Sequence, residues 1–300
     1  MDTEKGSSSQ YLLRSRTVQS KSPDSTTSKA KKIGRKEKSK SKAKKQQQQQ
    51  QPQQQQQLNP RKKNKWNSQY RSNLGQCLKL FDSITLRQQH IDVLMVTPFA
   101  PLFDAFIKKK VKDRHTKKFD DDSLAIIQTF NNYGTTFKIG GRQIPLRKND
   151  VALIFGVQSG KIKMTLTYGT KPKTAFTERR FNGLARMDAM HIRNQILECV
   201  TGEETIDYED FGRLMCLYLC ATLFFTKNGT TIGWALLKYI EDIHAMANYD
   251  WSDAIISSLI ASINKMINTP EQAHGCILLL PVNNSPRCSP FYHLFYYTTF

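Results

Sequence analysis

The chain has 300 residues, with 45 Lys/Arg against 25 Asp/Glu for a formal charge of +20. Residues 1–65 hold 18 of those basic residues against 4 acids and few aromatic or branched apolar ones, so most of the basicity belongs to a tail that cannot bury enough surface to offset chain entropy. Six cysteines without an apolar leader argue against secretion and a disulfide framework, and the longest apolar stretch, 211–225, falls short of the roughly 20 residues a bilayer span needs.

The expected domain organisation is a disordered basic and Gln-rich tail over 1–65, a folded domain over 66–280 and an atypical aromatic segment over 281–300. Within the tail, a Ser/Thr-rich stretch precedes the basic block 29–45, and a glutamine tract broken once by Pro52 follows. Lys31, Lys32, Arg35, Lys36, Lys38, Lys40, Lys42, Lys44 and Lys45 form the candidate nuclear-localisation run. Like charges at that density stay extended, which suits a receptor-read nuclear address and weak contact with nucleic-acid phosphates.

From Trp66 to Phe81 the apolar residues Tyr70, Leu74, Cys77, Leu78 and Phe81 recur with helical spacing. Leu86 to Phe106 carries a second helical pattern, interrupted near its middle by Pro98 and Pro101. Asp120, Asp121 and Asp122 precede Leu124, Ile126 and Ile127, as caps of a third helix. The period then changes to two: 136–139 and 142–146 flank Gly140-Gly141 and predict a β-hairpin. Asn149 or Asp150 is the expected cap of a helix over Val151–Phe155 that stops at Gly156, and 157–176 reads as a long surface loop.

The later half reads as helical throughout. Phe181, Leu184, Ala185, Ile192, Ile196 and Val200 form one stripe, and Phe211 to Phe225 is apolar almost all round, as a central helix should be. Ile232, Leu236, Tyr239, Ile240, Ile243 and Met246 predict an amphipathic helix on which Lys238 pairs with Glu241 or Asp242. A last helix starts at Trp251 with Asp250 as its cap. Several such stripes must bury one another, so the predicted fold is mainly α, a helical domain with a small β-hairpin.

The order of these segments carries a resemblance. DVALIFGV (150–157), FGRL (211–214), WALLKYIEDI (234–243), YDWSDAI (249–255) and Gly275-Cys276 together resemble the plant mobile domain, a transposon-derived family often labelled aminotransferase-like. The resemblance spans roughly 66–280 and implies a link to transposon biology, silencing or plant development. Two departures stand out: Pro281 to Arg287 breaks the apolar helix with which the family continues, and the chain then runs into the aromatic stretch 291–297. The expectation for that end is a truncated or misassembled segment.

Residue chemistry gives the family label no support as an activity. A pyridoxal phosphate enzyme needs a Schiff-base lysine, an acid for the ring nitrogen and a phosphate cup on a large α/β scaffold, and no alternation of strands and helices is present here. Cys199, Cys216 and Cys220 sit in apolar stripes as core residues, without a recognisable His and Asp set for a cysteine peptidase. Neither CxxC nor HxxxH occurs, and His191, His244 and His274 stand alone, so no metal and no cofactor are expected. The chain is therefore read as not an enzyme.

Charge on the folded part is more informative. Lys108, Lys109, Lys110, Lys112, Arg114, Lys117 and Lys118 crowd into one run, and Arg179, Arg186 and Arg193 recur every seven residues along what reads as one helix side. These ten residues are the candidate contact surface for phosphates or an acidic partner. The leading expectation is a non-catalytic nuclear interaction domain with a nuclear protein partner. The alternatives are a sequence-nonspecific nucleic-acid-binding accessory protein and, third, a remnant of a transposon-encoded cysteine peptidase polyprotein. No membrane association is expected.

Overall fold

The computed structural model describes residues 69–167, 169–227 and 231–282. The chain divides into two units, Met1–Arg61 and Lys62–Phe300. The first lies wholly outside the described residues, as do Trp66 and the aromatic end from 283 onward.

The described part is mainly α-helical, with a small antiparallel sheet. Helices α1 (Leu74–Asp82), α2 (Gln88–Met95) and α3 (Ala100–Ile107) come first; the Pro-interrupted pattern resolves into α2 and α3 as separate helices. Helix α4 (Asp120–Ile127) leads into strands β1 (Phe130–Asn131), β2 (Thr136–Ile139) and β3 (Arg142–Pro145). β2 and β3 pair in the predicted hairpin, Ile139 opposite Arg142, across Gly140 and Gly141 at φ of 55° and 81°, values that favour glycine at both turn positions. The three aspartates occupy the first turn of α4, where they meet the helix dipole, but none supplies the expected cap bond. Helix α5 (Lys148–Phe155) ends at Gly156 as read; Asp150 acts from inside it, accepting the N–H of Arg147 at 2.7 Å, in place of the predicted cap.

The loop after α5 is fastened down. Gly160 and Ile162 donate to the carbonyls of Tyr249 and Asn248, and Asp250 donates back to Ile162. Helix α6 (Ala175–Phe181), β4 (Met187–Asp188) and α7 (Ala189–Cys199) replace the single helix expected between 177 and 200. Asn182 and Gly183 turn the chain, and Asp188 then starts α7 afresh, its carboxylate accepting the N–H of His191 at 2.8 Å.

Helix α8 (Thr205–Leu219) is the central helix, continued by one wide turn over Cys220–Phe224. It packs on α2 and α7. Gly212 makes the α2 contact possible, since a Cβ there would lie 2.3 Å from Val93 Cγ1 and 3.1 Å from Ile243 Cδ1. After β5 (Thr231–Ile232), the predicted amphipathic helix is replaced by a 3-10 turn over Trp234–Tyr239 and further turns. The Asp242 carboxylate accepts the N–H groups of His244 and Ala245, a local turn that competes with helix, and Lys238 lies over the Tyr239 ring and not beside an acid. The apolar residues of that segment are buried all the same. Helix α9 (Trp251–Lys265) has the predicted cap, Asp250 Oδ1 accepting from Asp253 at 3.0 Å. At the centre of the core, Phe99 packs on Phe224, Trp251 and Phe103 at ring separations of 5.4, 4.9 and 6.4 Å. No helix among the described residues is long and apolar enough to cross a membrane.

Candidate functional site

The predicted basic run is spread along an edge. Lys108 and Lys110 both face Asp104, at 2.7 and 3.8 Å, and Lys109, Lys112, Arg114 and Lys117 are exposed around a single 3-10 turn. Lys118, exposed like them, donates to the Tyr70 carbonyl and lines a cleft of about 460 Å³.

The arginine line is corrected by the structure. Arg179 lies on α6, Arg186 is exposed in the link before β4 and Arg193 lies on α7, so no one helix side carries all three. Arg179 is also committed elsewhere: its Nε and Nη2 both donate at 2.9 Å to Asp210, a carboxylate with no exposed surface. Arg180 Nε at 2.8 Å and Arg213 Nη1 at 2.9 Å complete four bonds to that carboxylate. Burial opposes the ionisation of Asp210, but the guanidinium hydrogen bonds of Arg179 and Arg180 outweigh it and hold the carboxyl below its ordinary range. With its acceptor sites filled, this hub ties α6 to α8 and has no room for a ligand.

Arg193 joins Lys118 in the cleft, together with two cations that no sequence pattern singled out, Arg71 and Lys227. Each is positioned by its local structure. The chain bends at Arg71, with Tyr70 and Ser72 on either side buried and the Ser72 hydroxyl bonded to the Leu223 carbonyl at 3.0 Å, and Arg71 itself is exposed. On α7, Met190, Arg193 and Asn194 share the face that the i, i+3, i+4 spacing dictates. Lys227 follows Thr226, which is anchored by its hydroxyl to the Gly275 carbonyl at 2.9 Å.

The walls add Asn73, Gln76 and Asn194 amides and hydroxyls of Tyr218, Thr222 and Thr226, and among the described residues no carboxylate lines the cleft. Arg71, Arg193 and Lys227 make no ion pair with a described residue. Tyr218 is pushed up to about 12 by burial and the neighbouring Cys77, with Arg193 pulling the other way, so it stays a neutral hydrogen-bonding phenol. Such a cleft offers fixed positive charge and neutral donors to an anion; the near acid is Asp120, which partly neutralises Lys118 at one end.

A groove of opposite character, about 810 Å³, runs between α2, α8 and the 241–244 turn. Val93, Val96 and Ile243 give it an apolar floor, and Asp92, Glu203, Glu209, Glu241 and Asp242 an acidic rim. Its one arginine, Arg213, is already bonded to Asp210, Glu209 and the Glu241 carbonyl.

The described cysteines, Cys77, Cys199, Cys216, Cys220 and Cys276, are all buried. Burial pushes the Cys77 and Cys199 thiols up to about 12 and raises the others as well. No group of three or more His, Cys, Asp or Glu able to hold a metal ion occurs among the described residues.

Residues 122–281 match a protein family described as "Domain of unknown function (DUF8566)". The chain belongs to that family. No curated protein matches the chain, and no solved structure does. The matched region contains Arg193 and Lys227 but not Arg71 or Lys118, so the cleft is completed by segments on its N-terminal side.

Proposed function

We propose that this chain is a non-catalytic nuclear binding module that holds a nucleic-acid backbone in the cleft of Arg71, Lys118, Arg193 and Lys227, without reading base sequence. One observation carries the proposal: four cations from four separate segments converge on one concavity whose described walls hold no carboxylate. Guanidinium and ammonium groups gathered in this way bind phosphates through charge-assisted hydrogen bonds. Sequence independence follows because the aromatic residues of the cleft, Tyr70 and Tyr218, are buried and offer no platform for stacked bases. A non-catalytic role is favoured by thiols that burial holds in the protonated form. Nuclear residence rests on the lysine run 31–45, and transposon ancestry on the motif order that resembles the plant mobile domain.

The test is a salt titration of the full chain binding a labelled 30-mer of DNA. Arg71→Glu combined with Arg193→Glu should lower the magnitude of the log-log salt slope by about two, one per lost phosphate contact. Unchanged affinity and slope would reject the cleft as the binding site. Deletion of residues 1–65 in parallel measures what the basic tail adds.

The acid-rimmed groove favours a second reading, the interaction domain expected from sequence, with a lysine- or arginine-rich protein segment as its partner. Glu209→Lys with Asp242→Lys should weaken binding of a cationic peptide, and an unaltered affinity would reject that reading.

A further inference from the structure

Beside the cleft lies a second cavity of about 480 Å³, formed by α9, the 164–167 segment and His274. Its described polar lining is Lys227, Lys265, His274, Ser257, Ser258, Ser262 and Thr167, again without a carboxylate. The two cavities share a wall residue, Lys227. Together their described linings hold Arg71, Lys118, Arg193, Lys227 and Lys265 and no carboxylate, whereas the groove of α2 and α8 is lined by five acids; Asp120 stands close to Lys118, outside the lining.

His274 is held in place in the wall of the second cavity. Its backbone N–H is held by the Ser262 hydroxyl at 2.8 Å, which fixes the residue, while Nδ1 is buried without a hydrogen-bond partner. Burial, then Lys227 and Lys265, disfavour its protonated form, so the positive charge of this cavity is that of the two lysines.

Each cavity also combines its cations with thioether surface. Met190 is 74% exposed and lines the first; the half-buried Met266 lines the second, where Met164 is buried in the floor. A thioether packs against any flat ring without hydrogen-bond selectivity.

We infer that the two cavities form one continuous track, bridged by Lys227, that takes successive phosphates of a single nucleic-acid strand with its bases against the methionines. This deepens, and rests on, the reading of the first cleft as a backbone site. A flexible single strand can follow two concavities in succession, whereas a duplex presents its phosphates on a stiff convex surface and meets only their rims.

The experiment measures binding of the full chain to labelled oligonucleotides of 3 and 20 nucleotides, thymidine DNA and uridine RNA, across a salt series. The variants are Lys265→Glu in the second cavity, Arg193→Glu in the first, and Lys138→Glu on the exposed hairpin as a control for the same change in net charge. Urea midpoints matching the parent chain establish that each variant is folded. The expected result is that Lys265→Glu lowers the 20-mer salt slope by about 0.7, the single-strand value for one phosphate contact, so that affinity lost between 50 and 200 mM salt shrinks about 2.6-fold relative to the control. The 3-mer, held by the first cavity, should respond to Arg193→Glu only. Loss on DNA, on RNA or on both supports the track and identifies the strand. If Lys265→Glu matches the control on the 20-mer while Arg193→Glu weakens it, the track is overturned and the single-cleft reading stands. If both match the control, the two fall together.

Discussion

Replacing Asp210 by asparagine probes how the domain is held together around its central helix. The carboxylate accepts two bonds from Arg179 and one each from Arg180 and Arg213, all at 2.8–2.9 Å, and has no exposed surface. Asparagine keeps the shape but offers one acceptor oxygen and turns an NH₂ group toward guanidinium donors, so part of the network becomes donor against donor. Removing one partner from a buried ion pair costs roughly 3–5 kcal/mol. Here the lower end applies. Arg179 is 35% exposed and can turn toward water, Arg213 keeps Glu209 and the Glu241 carbonyl, and only the 9% exposed Arg180 is left leaning on Asp207. The expected loss is therefore about 3 kcal/mol at pH 7, a large part of a total of roughly 5–15 kcal/mol. In urea denaturation followed by circular dichroism, that is a midpoint lower by about 1–1.5 M at a slope of roughly 2–3 kcal/mol per M. Because the folded state holds the Asp210 carboxyl below its ordinary value, the stabilisation is complete above about pH 4 and is lost as pH falls through the depressed folded value. The amide of the Asp210→Asn variant does not titrate, so the gap between the two proteins should narrow in acid. A loss under about 1 kcal/mol at pH 7, or a gap that stays constant down to pH 2, would refute the hub as described.

Other substitutions test particular contacts. Gly212→Ala drives a methyl into Val93 and should lower stability by about 1–3 kcal/mol, measured as a urea midpoint; an unchanged midpoint would mean that α2 and α8 are not in close contact. Asp250→Ala removes both the α9 cap and the carboxylate that Lys148 contacts, with an expected cost of about 1–2 kcal/mol in thermal denaturation and a smaller one for Asp250→Asn, which can still cap. Cys77, Cys199, Cys216, Cys220 and Cys276 should label with a maleimide at pH 7 only as fast as the domain opens; rapid native-state labelling of any of them, located by peptide mapping, would contradict the packing around it and revive a nucleophilic role.

Local signals carried much of the fold. The Gly-Gly turn between two alternating runs and Asp250 before Trp251 act through near neighbours, and both elements stand where the sequence placed them; the apolar 211–225 stretch lies in the central helix, which starts earlier, at Thr205, and gives way to the wide turn after Leu219. Longer periodic patterns misled. Apolar spacing from 181 to 200 runs on through Asn182-Gly183, a turn pair stronger than the period, and from 232 to 246 the Asp242 turn wins over the helix while the same side chains stay buried. The candidate site was half legible. Lys118 and Arg193 stood out in a charge run and a heptad, for reasons unrelated to the cleft they share. Arg71 and Lys227 are lone cations with no pattern around them, and only the docking of the 69–73 segment on the wide turn after α8 brings them together. The basic run looked like a surface because charge density is visible in one dimension, whereas the Asp104 that partly neutralises it, and the Asp210 that engages Arg179, act through three-dimensional contact.

The most direct test of the account is amide-shift mapping of the isotopically labelled full chain as a short thymidine oligonucleotide is added. The account predicts saturable shifts confined to the cleft, at Arg71, Asn73, Ala189, Met190, Arg193 and Lys227, which weaken with added salt. Shifts gathered instead around the acid-rimmed groove of α2 and α8, or none in the folded part while the tail responds, would contradict it.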